Sequence, residues 1–123
     1  MTGLETLFLL IPTIQSAFLQ PINLPPQDTR LVTVTAYSST VDQTDSTPWT
    51  TASNKRTQDG FVAINGYRFG TEVMFPDLYP DKVFEVQDRK NRRYSSEWVD
   101  IWMNSKRKAK DFGIKKKIKM IVL

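Results

Sequence analysis

The chain has no cysteine and no histidine among its 123 residues. Without cysteine there is no disulfide, no thiolate nucleophile and no sulfur ligand for a metal. Without histidine there is no Ser–His or Cys–His couple and no imidazole metal site. Any acid–base chemistry therefore falls first to carboxylates. A long hydrophobic run is missing as well. The most apolar stretch, "LFLLIPTIQSAFL" (7–19), is interrupted by Pro12, Gln15 and Ser16 and is too short to span a bilayer comfortably. It also lacks the features of an intact secretion signal. Glu5 is the one charge before it, and no small-x-small cleavage site follows. We read it as a worn or truncated export signal; the alternative is an amphipathic segment packed on the domain. "QPINLPPQDTR" (20–30) reads as a proline-rich linker.

What remains is enough for one domain with a modest core. Net charge is +4, unevenly distributed: residues 104–123 hold eight Lys/Arg against Asp111 alone. A basic end of this kind has two readings. It attracts an anionic partner such as a wall polymer, or its lysines protect a solvated strand edge. Nucleic acid is not expected, because no recognition motif is present and the aromatics do not interleave with the basic run.

After the linker, strand signals dominate. "LVTVTAY" (31–37) alternates Val32, Val34 and Ala36 with Thr33, Thr35 and Tyr37. "FVAIN" (61–65), "EVMF" (72–75), "KVFEVQD" (82–88), "WVDIWM" (98–103) and "KKIKMIVL" (116–123) follow, separated by Gly66, Gly70 and "PDLYPDK". The one helix signal is "SKRKAKDF" (105–112), with Asn104 or Ser105 as cap and Gly113 as stop. Six short strands and one short helix predict a small closed β-barrel, which leaves no free edge.

Two features point to chemistry. Residues 38–60 form a polar stretch rich in Thr, Ser and Asp, including Asp45, and containing Trp49. Such a loop suits sugar recognition through an aromatic face and many hydroxyls, or is a solvated surface loop. In "WVDIWM", Val99, Ile101 and Met103 share one face; Trp98, Asp100 and Trp102 share the other. A carboxyl group set between two indoles is partly withdrawn from water, the usual preparation for a general acid. Asp88 is in phase with Phe84 and Val86 and so points to the apolar side at a strand end. The plainer reading has Asp88 capping the next turn and Asp100 paired with Arg92 or Arg93.

Taken together, "VTVTAYSSTVDQTDSTPWTTAS", "DGFVAINGYRFGTEVMFP", "FEVQDRKNRRYSSEWVDIWM" and "AKDFGIKKKIKMIVL" resemble the three-aspartate (3D) domain family. That family supplies the double-psi β-barrel of membrane-bound lytic transglycosylase A and of the stationary-phase-survival wall enzymes. The resemblance covers about residues 31–123, nearly all of the expected folded part. The family's second and third aspartates fall on Asp88 and Asp100. Its first falls on Asn65, and its glycine-rich stretch after the second is replaced by "RKNRRYSSEW".

The resemblance implies a bacterial, exported protein of the cell envelope that cleaves peptidoglycan glycan strands without metal or cofactor. A lytic transglycosylase can use a single carboxyl group, which the resemblance assigns to Asp100, with Asp88 beside it. The expected glycan contacts are Asn65, Tyr37, Thr35, Asp45, Trp49, Trp98 and Trp102. The alternative is a catalytically inactive barrel that binds glycan through its aromatics.

Overall fold

The computed structural model of the protein describes residues 28–39 and 49–123. The apolar segment 7–19, the linker up to residue 27 and Asp45 lie outside the described residues. Six strands and one helix follow in order: β1 (Asp28–Tyr37), β2 (Phe61–Ala63), β3 (Glu72–Met74), β4 (Val83–Asp88), β5 (Trp98–Trp102), α1 (Lys106–Phe112) and β6 (Lys115–Val122). Every strand expected from the alternation is present. The helix starts where its cap predicts, with the Ser105 side chain accepting from the Lys108 N–H, and stops at Gly113, whose φ is +70°. No helix among the described residues is long and apolar enough to cross a membrane.

The strands close into a barrel in the order β1-β5-β2-β4-β3-β6. β1 runs parallel to β5 and β2 parallel to β4; the remaining pairs are antiparallel. β6 is paired with β1 from Lys115 to Val122 but with β3 only at Ile121 and Val122, so both readings of its lysines stand. Between the Val32 and Val34 pairings the β1–β6 register slips, and Lys117 takes a left-handed φ of 56° there. A β-bulge of this kind leaves an extra residue unpaired and bends its strand.

The barrel interior is filled by the inward-facing residues of every strand: Val32, Val34, Val62, Val73, Phe84, Val86, Val99, Ile101 and Met120, joined by Ile64 and Phe75 just beyond strand ends. Fully burying a side chain of this size contributes about 1.5–3 kcal/mol, so this cluster is the main source of stability. Phe75 and Phe84 meet edge-on at 5.4 Å, a preferred ring geometry. Since Val99 and Ile101 face inward, Trp98, Asp100 and Trp102 must face out. That outer face of β1, β5, β2 and β4 carries a second buried cluster: Tyr37, Phe61, Ala63 and Trp102.

Candidate functional site

Strand register explains how the two aspartates come together. Thr35 is opposite Asp100, Asp100 is opposite Ala63, and Ala63 is opposite Asp88. The four residues form one row across β1, β5, β2 and β4. With a strand spacing of about 4.8 Å, the two aspartates sit roughly 10 Å apart along the row. Ala63, the smallest side chain in the row, lies between them.

The row requires a correction to the expected phase of Asp88. Val86 points inward, and unbroken alternation would turn Asp88 inward as well. Instead the β2–β4 register slips by one residue between Val62 and Ala63. That bulge re-aims the end of β4 and brings Asp88 to the face that carries Asp100 and Tyr37.

Asp88 is heavily engaged. Its Oδ2 accepts from the Tyr37 hydroxyl at 2.8 Å, and its Oδ1 accepts from the backbone N–H groups of Ala52 and Arg89, both at 2.9 Å. It caps its own turn and also tethers the 49–57 loop, which folds over this face. Tyr37 is pushed to much higher pKa than a free tyrosine, first by burial, then by the charge and hydrogen bond of Asp88, and last by the charge of Asp100. It is therefore a fixed neutral donor between the two carboxylates. The loop is secured a second time where the buried Trp102 Nε1 donates to Ser39 Oγ at 2.8 Å and Ser39 Oγ meets Thr57 Oγ1 at 2.9 Å.

Asp100 has a different set of partners. The Thr35 hydroxyl donates to Oδ1, and the Lys90 ammonium reaches Oδ2 at 2.6 Å. The pair lies in a shielded place: the Lys90 side chain is 8% exposed and that of Asp100 21%. Lys90 Nζ also lies 4.5 Å from the Tyr94 ring centre, and Tyr94 in turn packs on Trp98 at 5.4 Å. The expected pairing with Arg92 or Arg93 is therefore replaced by Lys90. Neither the alternation of β4 nor that of β5 reaches residue 90. Its direction is set by the path of the connecting loop, which sequence periodicity does not describe.

Asn65 sets that path. Its Oδ1 accepts from the Lys90 N–H, while its Nδ2 donates to the Asn91 and Tyr94 carbonyls, all at 3.1 Å. The amide is directed at the protein's own loop. Gly66, at φ +90°, adds a close approach: a Cβ there would lie 3.2 Å from Ser96 Cβ. Arg89 fastens the other side, donating to the Ile64 and Tyr67 carbonyls at 2.9 and 2.6 Å and stacking 3.9 Å from the Phe69 ring centre.

The tryptophans occupy unlike environments. Trp49 is 52% exposed and carries the Arg56 guanidinium 5.5 Å from its ring; it can still stack on a ligand. Trp98 is half-buried beside Asp100. Trp102 is buried, at 8% exposure. It also lines a cavity of about 420 Å³ together with Tyr79, Phe84, Met103, Lys82 and Lys108, and neither aspartate lines that cavity.

No known protein family matches the chain, and no curated protein matches it. Among the described residues no group of acidic side chains is arranged to hold a metal. Chemically, the face offers one half-buried carboxyl group, Asp100, flanked by a hydroxyl and an ammonium, with a second carboxylate in the same row.

Proposed function

We propose that the protein is a bacterial cell-wall glycan-cleaving enzyme of the lytic-transglycosylase type, with Asp100 as its acid–base residue. The observation that carries this reading is the row Thr35–Asp100–Ala63–Asp88, which gathers two carboxylates beside a small residue. The closed barrel with two parallel strand pairs is compatible with the double-psi arrangement of the three-aspartate family. In this reading Asp100 protonates the glycosidic oxygen. It then takes the proton of the muramyl 6-hydroxyl, which closes on C1 to give a 1,6-anhydro ring. One carboxyl group suffices, because the substrate supplies its own nucleophile; a hydrolase normally needs two. Asp88 and Tyr37 hold the neighbouring loop, and Trp49 and Trp98 offer aromatic faces to the glycan. The partner is the peptidoglycan strand, the location the exported cell envelope, and the basic segment supports adhesion to anionic wall polymer.

A second reading is a catalytically inactive glycan-binding barrel. It is favoured by the donors already on both oxygens of Asp100 and by the uncharged Asn65. For Asp100 to protonate a substrate, Lys90 or Thr35 has to turn aside. Incubating the protein with purified cell wall and analysing the soluble products by mass spectrometry separates the two. Anhydromuropeptides support the enzyme; glycan binding without product supports the binder.

A further inference from the structure

The Asp100 carboxylate is held by a residue that neither strand pattern reveals. We propose that Asn65 and Lys90 act together as the positioning pair for Asp100: Asn65 fixes the 90–94 turn, and the turn delivers the Lys90 ammonium to the carboxylate. The significance for catalysis rests on the reading of Asp100 as the acid–base group; the positioning itself does not.

Three observations carry the proposal. First, the Asn65 amide uses both hydrogens and its oxygen on the loop, and the partners fix its orientation: two carbonyls require the NH₂ end and one N–H requires the oxygen. Second, the Lys90 N–H is one of those partners, so the bond that orders the turn also orders the residue bearing the ammonium. Third, Lys90 is nearly enclosed, with its Nζ on Asp100 Oδ2 at 2.6 Å and over the Tyr94 ring at 4.5 Å. A flexible lysine tail is expensive to order. Here the backbone bond and the aromatic face remove most of its alternatives.

The identity of residue 65 follows from the same geometry. A carboxylate has no donors, so Asn65→Asp sets negative charge against the Asn91 and Tyr94 carbonyls. An aspartate would open the turn. The uncharged amide at residue 65 and the lysine two residues beyond Asp88 thus belong to one arrangement. The charge that faces Asp100 is the Lys90 cation on the loop.

The test uses the full chain without substrate. Lysine ammonium signals in ¹H–¹⁵N spectra persist only where burial and ion pairing slow exchange with water, so Lys90 gives a resolved signal that disappears in Lys90→Met and is lost or shifted in Asp100→Asn. Asn65→Asp abolishes the same signal and lowers hydrogen-exchange protection of the Lys90 amide by about tenfold or more. Asn65→Ala, which removes the three bonds without adding charge, has the same effect in a milder form and serves if the aspartate variant does not fold. Lys90→Met leaves amide protection of the turn in place. An unchanged Lys90 signal and amide protection in both Asn65 variants overturns the proposal, as does a wild-type protein with no slowed Lys90 signal. If wild type cleaves glycan, Lys90→Met changes kcat more than KM, and Lys90→Arg moves kcat back toward the wild-type value. A protein that cleaves no glycan refutes the proposed function, while the spectra still decide the positioning role.

Discussion

Replacing Tyr37 by phenylalanine deletes one oxygen from a buried ring and leaves the hydrophobic contact with Phe61, Ala63 and Trp102 in place. The lost interaction is the 2.8 Å hydrogen bond to Asp88. A bond to a charged group contributes about 1.5–3 kcal/mol, and Asp88 keeps two backbone donors, so we expect a loss of about 1.5 kcal/mol at pH 7. The pH dependence is more diagnostic. Tyr37 has a raised pKa in the folded protein, whereas in the unfolded chain it ionises near 10. Below that value its stabilisation is fully present. Above it, the unfolded state gives up the proton while the native state keeps it, so stability falls as pH rises, by about 1.4 kcal/mol per pH unit. The variant lacks this dependence, and all other titrating groups are common to both proteins. The stability gap should therefore shrink from about 1.5 kcal/mol at pH 7 to near zero by about pH 11. Urea unfolding followed by tryptophan fluorescence from pH 7 to 11 measures it. A gap that stays constant with pH, or a variant as stable as wild type at pH 7, refutes the reasoning.

Gly66→Ala forces a side chain onto a backbone at φ +90° and against Ser96; it should lower stability by about 1–3 kcal/mol and raise hydrogen exchange in the 89–97 loop. Ser105→Ala removes the cap of α1 and should lower stability by about 1 kcal/mol in thermal or urea unfolding. If the exposed lysines of β6 hold an anionic wall polymer, Lys116→Gln with Lys119→Gln should weaken that binding and flatten its salt dependence; unchanged binding leaves them as edge protection. Lys115 and Lys117 are left intact in that test because one packs on Phe112 and the other holds the bulge.

The strands were legible because each alternates against one core, and the helix because Ser105 and Gly113 bracket it. The outward face of Asp100 followed from Val99 and Ile101 alone. The face of Asp88 did not follow in the same way, because a one-residue bulge opposite Ala63 is a property of the pairing and leaves no mark in the β4 sequence. Lys90 was hidden among four basic residues in a loop, where periodicity has nothing to say and only the bonds of Asn65 select one of them. Trp102 lies in phase with Asp100, yet it is buried against Tyr37, Phe61 and Ala63, and burial by distant segments is not a local signal. Barrel closure is likewise a global fact about which strands are neighbours.

The central claim is that Asp100 performs proton transfer on a wall glycan. Its most direct test compares wild type with Asp100→Asn on purified peptidoglycan, with 1,6-anhydromuropeptides counted by mass spectrometry. The amide keeps the shape of the carboxylate but cannot cycle a proton, so product release should fall by about 10²–10⁴ while folding and glycan binding persist. Product formation by the variant at the wild-type rate, or no product from wild type at any pH, contradicts the account.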